Sequence, residues 1–203
     1  MESVPTPNDE LPIREITDAR TMRALAHPVR IALIEALTLN GPMTATQVGE
    51  RIGESPTTCS FHLRQLAKYG FVEEAGGGKG RSRPWRITSV GMRFGYSDDA
   101  ETDVAASLLG QLFRERQLAR YWAWRNTRGD YPKPWREASG DSEFVFYLTA
   151  EELEDFNEEL NAFLLPKFRE RLMDASKRPA NAVPVELLLF SYPMELPQGG
   201  EES

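Results

Sequence analysis

The segment TATQVGERIGESPTTCSFHLRQLAKYG, residues 44–70, constrains the fold more than any other part of the chain. It carries two sets of helix start and stop signals in close succession. Thr44 followed by Gln47 fits a capping box, in which hydroxyl and amide each satisfy an orphan backbone N–H. Gly53 ends that helix. Ser55 then suits an N-cap and Pro56 the first helical position. This second helix runs to Tyr69, with Gly70 just past its end. Two short helices with so tight a turn between them must share one apolar interior.

The flanks extend the pattern. Thr17 is an N-cap candidate for a helix through DARTMRALA, with Asp18 in its first turn. Pro28 breaks that run near His27 and opens another helix, to about Leu39. Ile31, Leu33, Ile34 and Leu37 form its apolar side, and Asn40-Gly41-Pro42 stops it. Beyond Gly70 the period changes. Phe71-Val72 begins a strand, and Trp85 and Ile87 alternate with Arg86 and Thr88. Between them GGGKGRSR is a basic loop, so this region reads as a β-hairpin with a long cationic tip.

Placing successive side chains about 100° apart on residues 56–69 separates two faces. Cys59, Leu63 and Leu66 share one. Thr57, Phe61, Arg64 and Lys68 share the other, flanked by Thr58, Ser60 and Gln65. The outward set offers hydroxyls, an amide and a guanidinium, groups that hydrogen-bond base edges and phosphates. Phe61 suits a thymine methyl. Thr46 and Gln47, on the preceding helix, join this set. Lys79, Arg81 and Arg83 on the hairpin tip can follow a phosphate backbone or enter a minor groove. Three helices, the last two a capped pair, followed by a basic hairpin, is the order of a winged helix-turn-helix.

The stretches LAHPVRIALIEAL and TATQVGERIGESPTTCSFHLRQLAKYGFVEE, with the Gly/Arg hairpin, resemble winged-helix transcription regulators of the ArsR type. The resemblance covers roughly residues 18–93. It implies a homodimer on a palindromic operator, with the S-x-HL helix in the major groove. Ser60, Phe61 and Arg64 then fall where that family contacts DNA, and Cys59 at an inward apolar position. YWAWRN, YLTAEEL and LLLFSYP look like the extended C-terminal half of uncharacterised actinobacterial regulators of this type.

Charge agrees with this placement. The formal net charge of −7 argues against a polyanion partner for the chain as a whole. Residues 44–93 nevertheless carry a net +4, whereas residues 141–203 carry −9. Any nucleic-acid contact is thereby localised to the basic segment, and the acidic end is held off it.

Other chemistries find little support. One cysteine and two histidines fall short of a tetrahedral metal site, although Cys59 and His62 are one helical turn apart. Cys59 reads as a small buried hydrophobe rather than a metal or redox group. GGGKG lies in a hairpin tip, not between a strand and a helix, and no nucleophile elbow is present. The expectation is therefore no enzymatic activity, no cofactor and no metal. No apolar run is long enough for a membrane span, and the acidic, proline-rich N-terminus is unlike a signal peptide. A soluble cytoplasmic protein is expected.

The remaining chain reads as a long helix from about Asp98 to Arg128, apolar and aromatic around much of its surface. One face can pack on its own domain and another on a second copy. Leu112, Tyr121, Trp122 and Trp124 are the candidate dimer or ligand residues, the ligand being a small organic effector of unknown identity. YPKPWREASGD reads as a loop. EFVFYLT (143–149) and VPVELLLFSYP (183–193) read as strands around a helix opened by the Thr149/Glu152 capping box, which Pro166 kinks or divides. The expected fold class is mainly α with α+β elements: a winged helix-turn-helix domain, a long dimerisation helix and a small strand-helix-strand lobe. The expected divisions are a disordered arm (1–12), the DNA-binding domain (13–95), a C-terminal dimerisation or effector domain (96–197) and a disordered tail (198–203).

Overall fold

The computed structural model describes residues 13–76, 83–95 and 97–195. The expected arm and tail lie outside these residues. The element order is β1 (Ile13–Glu15), α1 (Ala19–Leu25), α2 (Pro28–Asn40), α3 (Ala45–Ile52), α4 (Pro56–Lys68), β2 (Val72–Glu74), β3 (Trp85–Ile87), β4 (Gly91–Arg93), α5 (Ala100–Thr127), α6 (Lys133–Ala138) and α7 (Ala150–Met173).

Local chemistry sets the helix ends. Asp18, not Thr17, caps α1, its carboxylate accepting from the Thr21 N–H at 2.8 Å. Both residue types cap well; Asp18 is the one whose side chain reaches the first turn. His27 caps α2 through its imidazole, which accepts from the Val29 N–H, with Pro28 in the first turn. Thr44 and Gln47 form the capping box of α3, and Gly53 ends it in the left-handed region at φ 76°. Ser55 caps α4, and Gly70 at φ 71° turns the chain into β2.

One core joins α1 to α4, the hairpin and the start of α5. Leu25, Ile31, Leu33, Leu37, Val48, Cys59, Leu63, Leu66, Phe71, Val72 and Leu109 are buried in it. Gly49 makes the approach of α3 to the α3–α4 turn possible, because a Cβ there would lie 2.6 Å from the Glu54 carbonyl oxygen. The hairpin pairs β2 with β3 antiparallel, Glu73 opposite Arg86. Met43 adds a bridge to Trp85, so the α2–α3 connection extends this small sheet. A second sheet pairs β1 with β4 in parallel, Arg14 opposite Met92.

Three expectations for the C-terminal half need correction. Part of the presumed loop after α5 is the short helix α6. Residues 143–149 and 183–193 take no strand assignment, and no ladder partner pairs with them among the described residues. A strand is stabilised by its neighbour, and an isolated apolar segment has none. Phe144, Tyr147, Val185 and Leu187 on these segments are accordingly exposed. Pro166 does not divide α7, which is continuous from Ala150 and begins with the expected Thr149/Glu152 capping box. No helix among the described residues is long and apolar enough to cross a membrane.

Candidate nucleic-acid interface

Helix α4 has one buried face and one exposed face. Cys59, Leu63 and Leu66 are fully buried against α2 and α3, whereas Thr57, Phe61, Arg64 and Lys68 are exposed. Phe61 leaves 52% of its surface open to solvent. Ser60 and Gln65 are half-buried on the flanks of the exposed face. The Thr58 hydroxyl is engaged with the Ser55 hydroxyl at 2.8 Å, so its first task is the cap. Thr46 and Gln47 are exposed at the start of α3, but the Gln47 side-chain oxygen already accepts from the Thr44 N–H.

The hairpin next to α4 brings up charge that is partly neutralised within the sheet. Arg83 is exposed and its guanidinium meets Glu74 at 2.6 Å, which raises its pKa. Arg86 meets Glu73 at 2.7 Å on the neighbouring cross-strand pair. Exposed pairs of this kind exchange readily for a competing phosphate, because each is worth about 1 kcal/mol or less. Lys79 and Arg81 lie outside the described residues.

Behind α4 lies a feature that spacing did not announce. The rings of His27 and His62 approach to 4.5 Å between centroids, and Phe61 meets His62 edge to face at 5.1 Å. Burial lowers the pKa of both imidazoles, with Arg30 adding to the effect and Glu54 opposing it; His27 also disfavours charge on His62. Cys59 is buried, and burial together with Glu54 pushes its thiol pKa up, which keeps it protonated. Among the described residues, no group of three or more His, Cys, Asp or Glu could hold a metal ion.

Of the residues singled out on α5, Tyr121, Trp122 and Trp124 lie near one another and Leu112 lies apart from them. Leu112 packs against the domain core. Tyr121 stacks near Trp122 and Trp124 at 5.0 and 6.0 Å, and its hydroxyl donates to Asp141 at 2.8 Å. Arg128 lies over the Trp124 ring, and Trp122 is exposed. Two clefts, of about 460 Å³ at Arg128–Glu137 and about 310 Å³ between β1, β4 and α5, are lined by other residues.

Comparison with known proteins gives the following. Residues 25–75 match the model of a family described as a helix-turn-helix domain, which takes in α2 to β2 and leaves the C-terminal half outside. No curated protein matches the chain. Among solved structures, similarity is found to the homodimeric winged helix-turn-helix DNA-binding domain Mb0332 from Mycobacterium bovis, described as a possible ArsR-family transcriptional regulator. It is 22% identical over 49% of this chain and 77% of that one, with a TM-score of 0.32. The AntR antimony-specific transcriptional repressor is 21% identical over 48% of this chain and 78% of its own, TM-score 0.32. The PcaV transcriptional regulator from Streptomyces coelicolor is 15% identical over 68% and 73%, TM-score 0.31. The winged helix-turn-helix assignment rests on the chain's own order of helices and hairpin.

Proposed function

We propose that the chain is a sequence-specific DNA-binding transcriptional regulator, a repressor that acts as a homodimer. Residues 13–95 form the DNA-binding domain. Helix α4 enters the major groove with Ser60, Phe61 and Arg64 toward the bases, and Thr57, Gln65 and Lys68 along the rim. The wing, residues 76–83, follows the backbone or the minor groove. The observation that carries this reading is the exposed polar face of α4, with Phe61 among it, on a helix whose other face is fully buried. An amphipathic helix facing only solvent gains nothing from an exposed phenyl ring, whereas a thymine methyl gives that ring a partner. A mobility-shift titration on the chain's own promoter DNA at several salt concentrations tests it. Binding without sequence preference, or an Arg64→Ala variant that binds like the parent, counts against it.

The dimer rests on α5, which falls to the proposed dimerisation domain, residues 96–197. Ala105, Ala106 and Leu109 are buried in the core, and on the opposite face Val104 and Leu108, then Leu118 and Trp122, are exposed at helical spacing, with Gln111 and Glu115 between the two pairs. A helix apolar on two faces has one face for its own domain and one for a partner. By this reading the chain has no catalytic site and works in the cytoplasm.

A second reading makes the C-terminal half a sensor of a small organic molecule. Its support is an ionic chain. Glu35 of α2 accepts from Arg116 at 2.6 Å and Arg120 at 2.7 Å, and Arg120 also donates to Glu186 at 3.1 Å. Burial raises the Glu35 pKa, but the two guanidinium hydrogen bonds outweigh it and hold the carboxyl ionised. Residues 183–193 are thereby tied to the helix behind α4. Thermal-shift screening of metabolites against the full chain tests this reading; a screen without any stabilising compound weighs against it.

A further inference from the structure

Arg14 is outside the face assigned to DNA, yet its contacts converge on the end of the recognition helix. It sits on β1, which pairs in parallel with β4, the strand that follows the wing. Its guanidinium reaches across to α4 and donates to the Tyr69 carbonyl oxygen at 2.6 Å. It also lies over the Phe71 ring, 4.3 Å from the centroid. One guanidinium thus touches the C-cap residue of α4 and the residue just before β2.

Burial lowers the Arg14 pKa from its ordinary value, with Asp18 opposing, but the end of α4 offers the guanidinium an acceptor. The carbonyl groups that end a helix have no intrahelical donor and carry the negative end of its dipole. Gly70, between Tyr69 and Phe71, has a positive φ of 71°, and its missing side chain leaves Arg14 close at hand: a Cβ there would be 3.5 Å from the guanidinium. Lys68 and Arg20 also approach Tyr69, but through its ring rather than its carbonyl. The second terminal nitrogen of Arg14 is buried without a hydrogen-bond partner, and Asp18 adds an electrostatic attraction.

We propose that Arg14 is a positioning residue for DNA recognition: it locks the C-terminal end of α4 to the β1–β4 sheet and so sets the angle between recognition helix and wing. This rests on the DNA-binding reading above. Base readout demands alignment of α4 within the groove, whereas phosphate contacts carry no sequence information directly. Loss of the lock therefore costs selectivity more than total affinity.

The test compares the parent, Arg14→Met and Arg14→Lys on the chain's own promoter fragment and on a scrambled duplex of equal length, at several salt concentrations. Arg14→Met keeps an unbranched apolar stem and removes the guanidinium, with both its donor and its contact over the Phe71 ring. It is expected to reduce the ratio of promoter to scrambled affinity about tenfold, the order of one charge-assisted hydrogen bond. The salt slope stays at the parental value, since no phosphate contact is lost. Arg14→Lys keeps charge and one donor and is expected to recover part of the ratio; should Arg14→Met not fold, the Lys variant must still show a reduced ratio at unchanged slope. An unchanged ratio in a folded variant overturns the proposal, and so does a slope reduced by about one, which marks a direct phosphate contact. A parent without sequence preference overturns the DNA-binding reading as well. A selective parent that Arg64→Ala impairs, with Arg14 variants unaffected, overturns only the role of Arg14.

Discussion

The imidazoles of His27 and His62 stack 4.5 Å apart, joining the N-cap of α2 to the inner flank of α4. His27 accepts the Val29 N–H on its Nδ1, a contact that needs the lone pair of an unprotonated nitrogen. The pair therefore holds the start of one helix to the middle of another only while it is uncharged.

Stability should fall as the pH drops below the ordinary histidine range. Both folded-state pKa values are lowered from 6.5, so the unfolded chain binds protons first. The contribution of the pair is complete above about pH 6.5 and is lost as pH falls from there toward the folded pKa values. His27→Asn keeps an N-cap acceptor and removes one titrating ring. Its melting temperature should change less between pH 7.5 and 5 than that of the parent. Asp18 and Asp99, whose pKa values are lowered from 3.8, lose their contribution only in a more acidic window.

Gly49→Ala should open the helix pair. The added Cβ would meet the Glu54 carbonyl at 2.6 Å, and backbone cannot swing aside as a flexible side chain does. Such overpacking costs about 1–3 kcal/mol, more than the gain in helix propensity returns. Urea unfolding measures it, and Gly76→Ala, with open space around its Cβ, is the control.

Cys59 and Arg64 should separate packing from recognition. Cys59→Val keeps an apolar group at a buried site and should leave DNA binding nearly intact. Cys59→Ser buries a hydroxyl and should cost about 1–3 kcal/mol in stability. Arg64→Ala should leave the melting temperature unchanged and weaken promoter binding by about 1–3 kcal/mol in a mobility-shift titration.

The two faces of α5 should respond differently. Leu108→Glu on the exposed face should yield a folded monomer in sedimentation. Leu109→Ala on the buried face should lower stability by about 2–5 kcal/mol through the cavity left in the core. A dimer that persists with both Leu108 and Trp122 replaced by Glu places the interface elsewhere.

Helix caps and helix faces were readable from the residues because both depend on neighbours within a turn. Thr44, Ser55, Gly53 and Gly70 are where their chemistry puts them, and Thr17 yields to Asp18 by a single position. The faces of α4 follow from the period alone. Strand pairing is different. Residues 143–149 and 183–193 have strand composition, but a strand's stability resides in its partner, and none pairs with them among the described residues. The three-residue β1 carries no periodic signal, and its partner is Gly91–Arg93, far along the chain.

By itself, then, the sequence determined the capped helix pair, the buried Cys59, Leu63 and Leu66, and the exposed Phe61 and Arg64, because helical geometry is written in local spacing. Only the tertiary structure decided that Arg14 meets Tyr69, that His27 meets His62 and that Glu35 joins α2 to Arg120 and Glu186. Those contacts link residues far apart in the chain, and packing of the common core, not any local preference, brings them together.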